Sequence, residues 1–134
     1  MSEEFKLNKR LAADCLYIGV TDKITMLLLN NRLVPWFIFV PHTEITEFHL
    51  LPDELSINLL KLQNLTAQFI LDFFKADKLN IATIGNVVSQ LHLHVIGRYK
   101  DDFAWPGVVW GHSEKELYTD DEFLKIKGAF LSLF

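Results

Sequence analysis

The chain has one cysteine, Cys15, in 134 residues, so no internal disulfide can close and the fold rests on packing. Basic residues are not in excess. Thirteen Lys and Arg stand against seventeen Asp and Glu, a net charge of −4, which argues against general nucleic-acid binding because that needs a basic face. No uncharged apolar run approaches the roughly 18 residues of a membrane span. The opening Met-Ser-Glu-Glu-Phe-Lys lacks the basic stretch and apolar run of a secretory signal, and cytoplasmic residence is the simplest expectation. Repeats, linkers and low-complexity segments are also missing, so a single domain over 1–134 is expected.

Apolar and aromatic residues are abundant. Half the residues are hydrophobic and eleven are Phe, enough for a sizeable core. Such an aromatic load fits either a large monomer core or aromatic surface buried against a second subunit. Residues 5–15 suit a short helix, and 16–20 a brief strand before Thr21-Asp22. Ile24 to Leu29 is an apolar run of strand length, Asn30-Asn31-Arg32 a turn, and Trp36 to Val40 the next strand, together an antiparallel hairpin. Pro35 and Pro41 bracket its second strand.

Pro52-Asp53-Glu54 opens a long helix, with carboxylates where the helix dipole favours them. Leu55, Leu59, Leu62, Phe69 and Phe73 recur at helical spacing to about Lys75. Leu79 to Ile84 and Leu91 to Ile96 supply two more strands around Gly85-Asn86. Residues 98 to 118 hold Gly, Pro, Trp and charges without a period, an ordered loop. Thr119, three residues before Glu122, starts a last helix with a capping-box pattern, and Phe123, Ile126, Phe130 and Leu131 form its apolar face. The order predicts an α+β domain: an antiparallel sheet of about five strands, with a long helix and terminal helices packed on it and the helices gathered on one face.

Chemistry concentrates in Gln90-Leu91-His92-Leu93-His94-Val95-Ile96, where polar and apolar residues alternate with the period of a strand. Gln90, His92 and His94 fall on one face about 7 Å apart, and Leu91, Leu93 and Val95 on the other. Imidazole serves as nucleophile, general acid or base, or metal ligand near neutral pH, and a strand is a stiff platform for it. Two His and a Gln are costly to bury without partners, which favours a site over an ordinary sheet interior.

This stretch resembles the signature of the histidine-triad (HIT) family, His-x-His-x-His with apolar x positions, with Gln90 standing in the first place. Leu33-Val34-Pro35-Trp36-Phe37-Ile38-Phe39-Val40-Pro41 is similar to the family's strand bracketed by Val-Pro pairs. Gly85-Asn86 before the triad and Asn30-Asn31 after an apolar strand fall where the family has like residues. A bacterial subgroup with Gln in the first position, followed by Arg, Asp and Trp-Pro, looks closer still, here Arg98, Asp101, Asp102 and Trp105-Pro106. The resemblance covers residues 15 to 100. It implies a HIT-like fold, usually a two-fold homodimer with a continuous sheet, and substrates that are purine-type nucleotides joined at the α-phosphate to a leaving group.

On this resemblance His92 is the nucleophile and forms a nucleotidyl-histidine that water hydrolyses, with no cofactor. An acceptor on its far nitrogen, such as a chain carbonyl, would fix the tautomer. His94 would bind or protonate a phosphate oxygen. Gln90 could replace a neutral histidine as a phosphate or indirect donor, but it carries no charge and shuttles no proton. Asn86 is either a phosphate donor or a turn residue. Asn30 or Asn31 would meet the ribose unless turn formation alone explains them. Arg98 and Lys100 could steer an anion or be solvated surface charge. Trp105, Trp110 and His112 could stack on a base, close the site or pack at a dimer seam. His42 and His49 have surface or capping roles by default, and Cys15 is a small core residue.

Two other readings compete. One is a nucleotide-binding protein with little catalysis, motivated by Gln90. The other is a zinc site on His92 and His94, which would need a third ligand such as His112 or Asp101.

Overall fold

Asp22 and Lys23 both take positive φ (46° and 61°), as a two-residue hairpin turn matching the strand twist requires. They join β1 (Cys15–Thr21) to β2 (Ile24–Leu29). β3 (Trp36–Pro41) returns along β2, completing the hairpin expected from the apolar runs. β4 (Lys78–Ala82) and β5 (Leu93–Arg98) finish a five-stranded antiparallel sheet in the order β1-β2-β3-β5-β4. The computed structural model describes residues 4–134. Among them no helix is long and apolar enough to cross a membrane.

Among the described residues three α-helices flank the sheet: α1 (Lys9–Asp14), α2 (Asp53–Phe74) and α3 (Asp120–Leu131). α2 carries Asp53 and Glu54 in its first turn and stops at Lys75, which turns left-handed with φ 56°. α3 opens with both halves of the capping box between Thr119 and Glu122 in place. Leu59, Leu62, Phe69 and Ile70 of α2 and Ile126 and Phe130 of α3 pack on one sheet face against Met26, Leu28, Phe37, Phe39, Leu93 and Val95. Phe130 lies 5.1 Å from Phe37 and 5.2 Å from Phe69 between ring centroids. Much of the aromatic load is therefore core within one chain. At about 25 cal/mol per Å² of apolar surface, each such ring contributes on the order of 2–3 kcal/mol.

The sequence reading placed the helices on one face, but α1 lies on the other. Leu11 joins Leu27, Trp36, Ile38, Val40 and Ile96 there, with Phe5, Leu7, Phe103 and Trp110 packed alongside. Helix was expected over 5–15, yet residues 4–8 lie outside any helix or strand. One glycine is required by closeness. A Cβ on Gly97 would stand 2.5 Å from Ile70 Cγ2 and 2.7 Å from Pro35 Cγ, so α2 sits directly on β5 here.

Candidate active site

β5 starts at Leu93, later than the alternation suggests, because its partners run out: Phe39 of β3 faces Leu93, and Ala82 of β4 faces His94. Gln90 and His92 therefore lie in the approach to the strand. β4 ends at Ala82 rather than Ile84, and residues 83–92 cross between strands through Gly85, which has φ 68°. His92 and His94 nevertheless stay together, both buried and both lining one cavity of about 650 Å³. That volume suits a small-molecule ligand. The cavity is closed by α1, residues 84–88 and residues 109–115.

The two imidazoles hold opposite tautomers. His92 Nδ1 lies 2.7 Å from the Gln90 carbonyl oxygen. A carbonyl only accepts, so Nδ1 carries the hydrogen and Nε2 of the neutral ring holds the lone pair. In His94 the pattern is reversed. The Trp36 indole N–H donates to His94 Nδ1 at 2.9 Å, and because that N–H only donates, the His94 hydrogen is on Nε2. Burial first, and His92 beside it second, push the His94 pKa down to about 3. The rings meet edge-on with centroids 4.8 Å apart, one presenting a lone pair and its neighbour an N–H.

Trp110 closes the other side of His94, centroids 5.3 Å apart at 88°, and it also meets Trp36 edge-on at 5.6 Å. Its indole N–H is buried and has no hydrogen-bond partner among the described residues. His112, 3.5 Å from the Glu114 carboxylate, also lines the cavity. Cys15 lines it too, but burial, and Asp14 next, push its thiol up to about 12, so it stays protonated and unreactive at neutral pH.

The other sequence-derived candidates divide. Asn86 lines the cavity and is exposed. Asn31 lines it as well, but its amide is committed to the chain: Nδ2 donates to the Glu114 carbonyl at 3.2 Å, and Oδ1 accepts from Leu33 and Glu116 N–H, each at 3.2 Å. Asn30 accepts from the Tyr118 N–H at 3.0 Å and is not part of the lining. The pair thus anchors the segment that forms one cavity wall, a role neither the ribose nor the turn expectation includes.

Arg98 and Trp105 are not brought to the cavity. Arg98 is 1% exposed and donates to Asp102 at 2.8 and 3.0 Å, to Asn80 Oδ1 at 2.8 Å and to the Gly107 carbonyl at 2.8 Å. It is a buried hub of the 98–107 loop, contrary to both the anion-steering and the solvated readings. Trp105 covers its guanidinium, centroid to Cζ 5.6 Å. Gln90 also faces away from the cavity. Its Oε1 accepts from the Asn8 N–H at 2.8 Å and its Nε2 donates to the Lys6 carbonyl at 2.9 Å.

Sequence reasoning missed Trp36 as the partner of His94, and Arg10, Leu11 and Asp14 as lining residues. No local feature of the sequence points to Trp36; in the sheet Trp36 pairs with Ile96 and Ile38 with His94, so Trp36 sits diagonally beside His94 on the same face. Among the described residues no group of three His, Cys, Asp or Glu side chains converges to hold a metal ion, so the zinc reading finds no third ligand.

Comparison with known proteins identifies the family and the fold. The HIT domain matches residues 10–101. A histidine triad (HIT) protein from Sinorhizobium meliloti is similar at 35% identity over 97% of each chain, with a TM-score of 0.91. A histidine triad protein from Marinobacter aquaeolei is 39% identical over 96% of this chain and 95% of its own, with a TM-score of 0.90. The diadenosine triphosphate hydrolase of Plasmodium falciparum, solved with Cyclomarin A, shares the fold at 18% identity and a TM-score of 0.61, over 99% of this chain and 85% of its own. No curated protein matches. The chain belongs to the histidine-triad (HIT) family.

Proposed function

We propose that the protein is a nucleotide-phosphate hydrolase or nucleotidyl transferase that works at the α-phosphate through a nucleotidyl-histidine on His92. The observation that carries this is the 2.7 Å contact of His92 Nδ1 with the Gln90 carbonyl, which leaves Nε2 with its lone pair. Nε2 attacks phosphorus, a P–N bond forms, and the leaving group departs with the electron pair of the broken bond. The ring becomes cationic at that moment, and the Gln90 carbonyl strengthens as acceptor of its Nδ1–H. His94 Nε2–H then donates to a phosphate oxygen as charge grows there. Water attacks phosphorus next and releases its proton to solvent, the P–N bond breaks and His92 recovers its lone pair. No cofactor enters these steps.

Asn86 serves as a phosphate or leaving-group donor at the cavity mouth, and Trp110 and Asn31 bound the nucleoside end. Phosphoramidates and dinucleoside polyphosphates with a purine base are the substrate class. A single-domain cytoplasmic homodimer is part of the reading, with β4, an edge strand that exposes Ile81, as the seam. Light scattering on the purified protein tests the dimer.

One observation favours slower chemistry. His94 is held neutral, and Gln90 does not reach the cavity, so neither delivers a proton to a poor leaving group. A nucleotide-binding protein with weak turnover is the second reading. Incubation with adenosine 5′-phosphoramidate, diadenosine polyphosphates and their guanosine counterparts separates the two. Release of nucleoside monophosphate that vanishes in His92→Ala supports the first reading. Binding without release supports the second.

A further inference from the structure

We propose that Gln90 is a positioning residue whose side chain latches the N-terminal arm, residues 4–8, and so holds α1 as a wall of the cavity. The proposal rests on the nucleotide reading for what the cavity binds, but not for the latch itself.

The geometry is that of a strand pairing made by one side chain. The carbonyl of one residue and the N–H two residues on point the same way along an extended chain. A primary carboxamide offers a donor and an acceptor side by side at one end. Gln90 meets both groups of the arm, donating to the Lys6 carbonyl at 2.9 Å and accepting from the Asn8 N–H at 2.8 Å. A neutral imidazole cannot do this, because its N–H and its lone pair diverge from opposite sides of the ring. Glutamine at this position is thus fitted to a different task from a histidine.

The arm is secured at two further points. Phe5 stacks on His42 with centroids 4.0 Å apart and planes at 12°, and His42 is itself hydrogen-bonded to Thr25 at 2.8 Å. Leu7 packs on the second core cluster. Asn8 then links arm to helix: its backbone is held by Gln90, and its side chain accepts from the Arg10 N–H at 2.8 Å and caps α1. Six residues are too few for a helix to hold itself in water, so α1 depends on these anchors. Through it Arg10, Leu11 and Asp14 reach the cavity wall. Loosening the latch moves that wall, while the Gln90 backbone carbonyl remains available to His92 in any variant.

The test uses Gln90→Met, similar in length but unable to make either bond, and Gln90→Glu, unable to donate to the Lys6 carbonyl. Phe5→Ala releases the arm without touching position 90. Amide hydrogen exchange over residues 7–14 is measured with the affinity for adenosine monophosphate and with kcat and KM. Loss of the two Gln90 hydrogen bonds in Gln90→Met, or of the stacking on His42 in Phe5→Ala, predicts about five- to tenfold faster exchange and about five- to tenfold weaker binding. Their double variant should be little worse than either, and in Phe5→Ala kcat should change less than about twofold. Unchanged exchange in Gln90→Met overturns the latch. Faster exchange with unchanged affinity overturns the wall, and a fall in kcat with unchanged exchange places Gln90 at the phosphate instead. If the native protein binds no nucleotide, the proposed function fails, and exchange still decides the latch.

Discussion

The indole N–H of Trp36 donates to Nδ1 of His94 at 2.9 Å, at the base of the cavity. This one bond determines which nitrogen of His94 faces a ligand and opposes protonation of the ring. Trp36→Phe removes the donor and leaves a buried nitrogen without a partner, which costs about 2 kcal/mol of stability. His94 can then turn a lone pair toward phosphate. We expect kcat to fall about tenfold or more. Lost stability with kcat unchanged in the folded fraction would mean that Trp36 only packs.

His94 also makes stability depend on pH. Its folded pKa, near 3, lies below the value of about 6.5 expected in the unfolded chain, so between these the unfolded state binds the extra proton. Stability therefore rises with pH across this window and falls on acidification, by about 1.4 kcal/mol per pH unit for one site. His42, lowered by burial first and Lys23 second, acts in the same direction. Urea unfolding between pH 6.5 and 4.5 should show the slope, and His94→Gln should lose most of what His94 contributes.

Arg98 and Asp102 form a buried pair, each side chain 2% exposed. Burial by itself would raise the Asp102 carboxyl, but the Arg98 guanidinium and the Tyr99 and Ala104 amides outweigh it and hold the pKa at about 2. The folded value is depressed, so its contribution is present above about pH 4 and is lost as pH falls toward 2. Asp102→Asn strands a buried guanidinium and should cost about 3 kcal/mol. Nucleotide affinity of the folded fraction should hold within about twofold. A large affinity loss at unchanged stability would return Arg98 to the phosphate-binding role expected from its position in the sequence.

Gly97→Ala puts a methyl group 2.5 Å from Ile70 and should cost about 1–3 kcal/mol, read from the melting temperature. An unchanged melting temperature would mean that α2 can retreat freely from β5.

Much of this was legible in the sequence where one local period or one cap decides the outcome. The α3 capping box, the hairpin of Ile24–Leu29 and Trp36–Pro41, and the buried Leu91, Leu93 and Val95 follow from spacing alone. His92 and His94 came together as the alternation implies, and the carbonyl that sets the His92 tautomer comes from two residues upstream. The rest depends on contacts remote in sequence. The partner of His94 lies 58 positions away, and those of Gln90 lie 82 and 84 positions away. Arg98 reads as a surface charge because the 98–107 loop has no period to show that nearby Asp102 and Gly107, with Asn80 of the neighbouring strand, converge on it. Asn30 and Asn31 read as turn or ribose residues for the same reason, since the segment they anchor, 114–118, is far along the chain.

The most direct measurement is the mass of the protein during turnover. Adenosine 5′-phosphoramidate is mixed with the protein, quenched within milliseconds under alkaline conditions that spare a P–N bond, and the intact chain and its peptides are weighed. The expected result is an added adenylyl group on the peptide carrying His92, absent in His92→Ala and in enzyme exposed to adenosine monophosphate alone. Steady release of monophosphate with no adduct at any time, or with an adduct that persists in His92→Ala, would contradict attack by His92 on the α-phosphate.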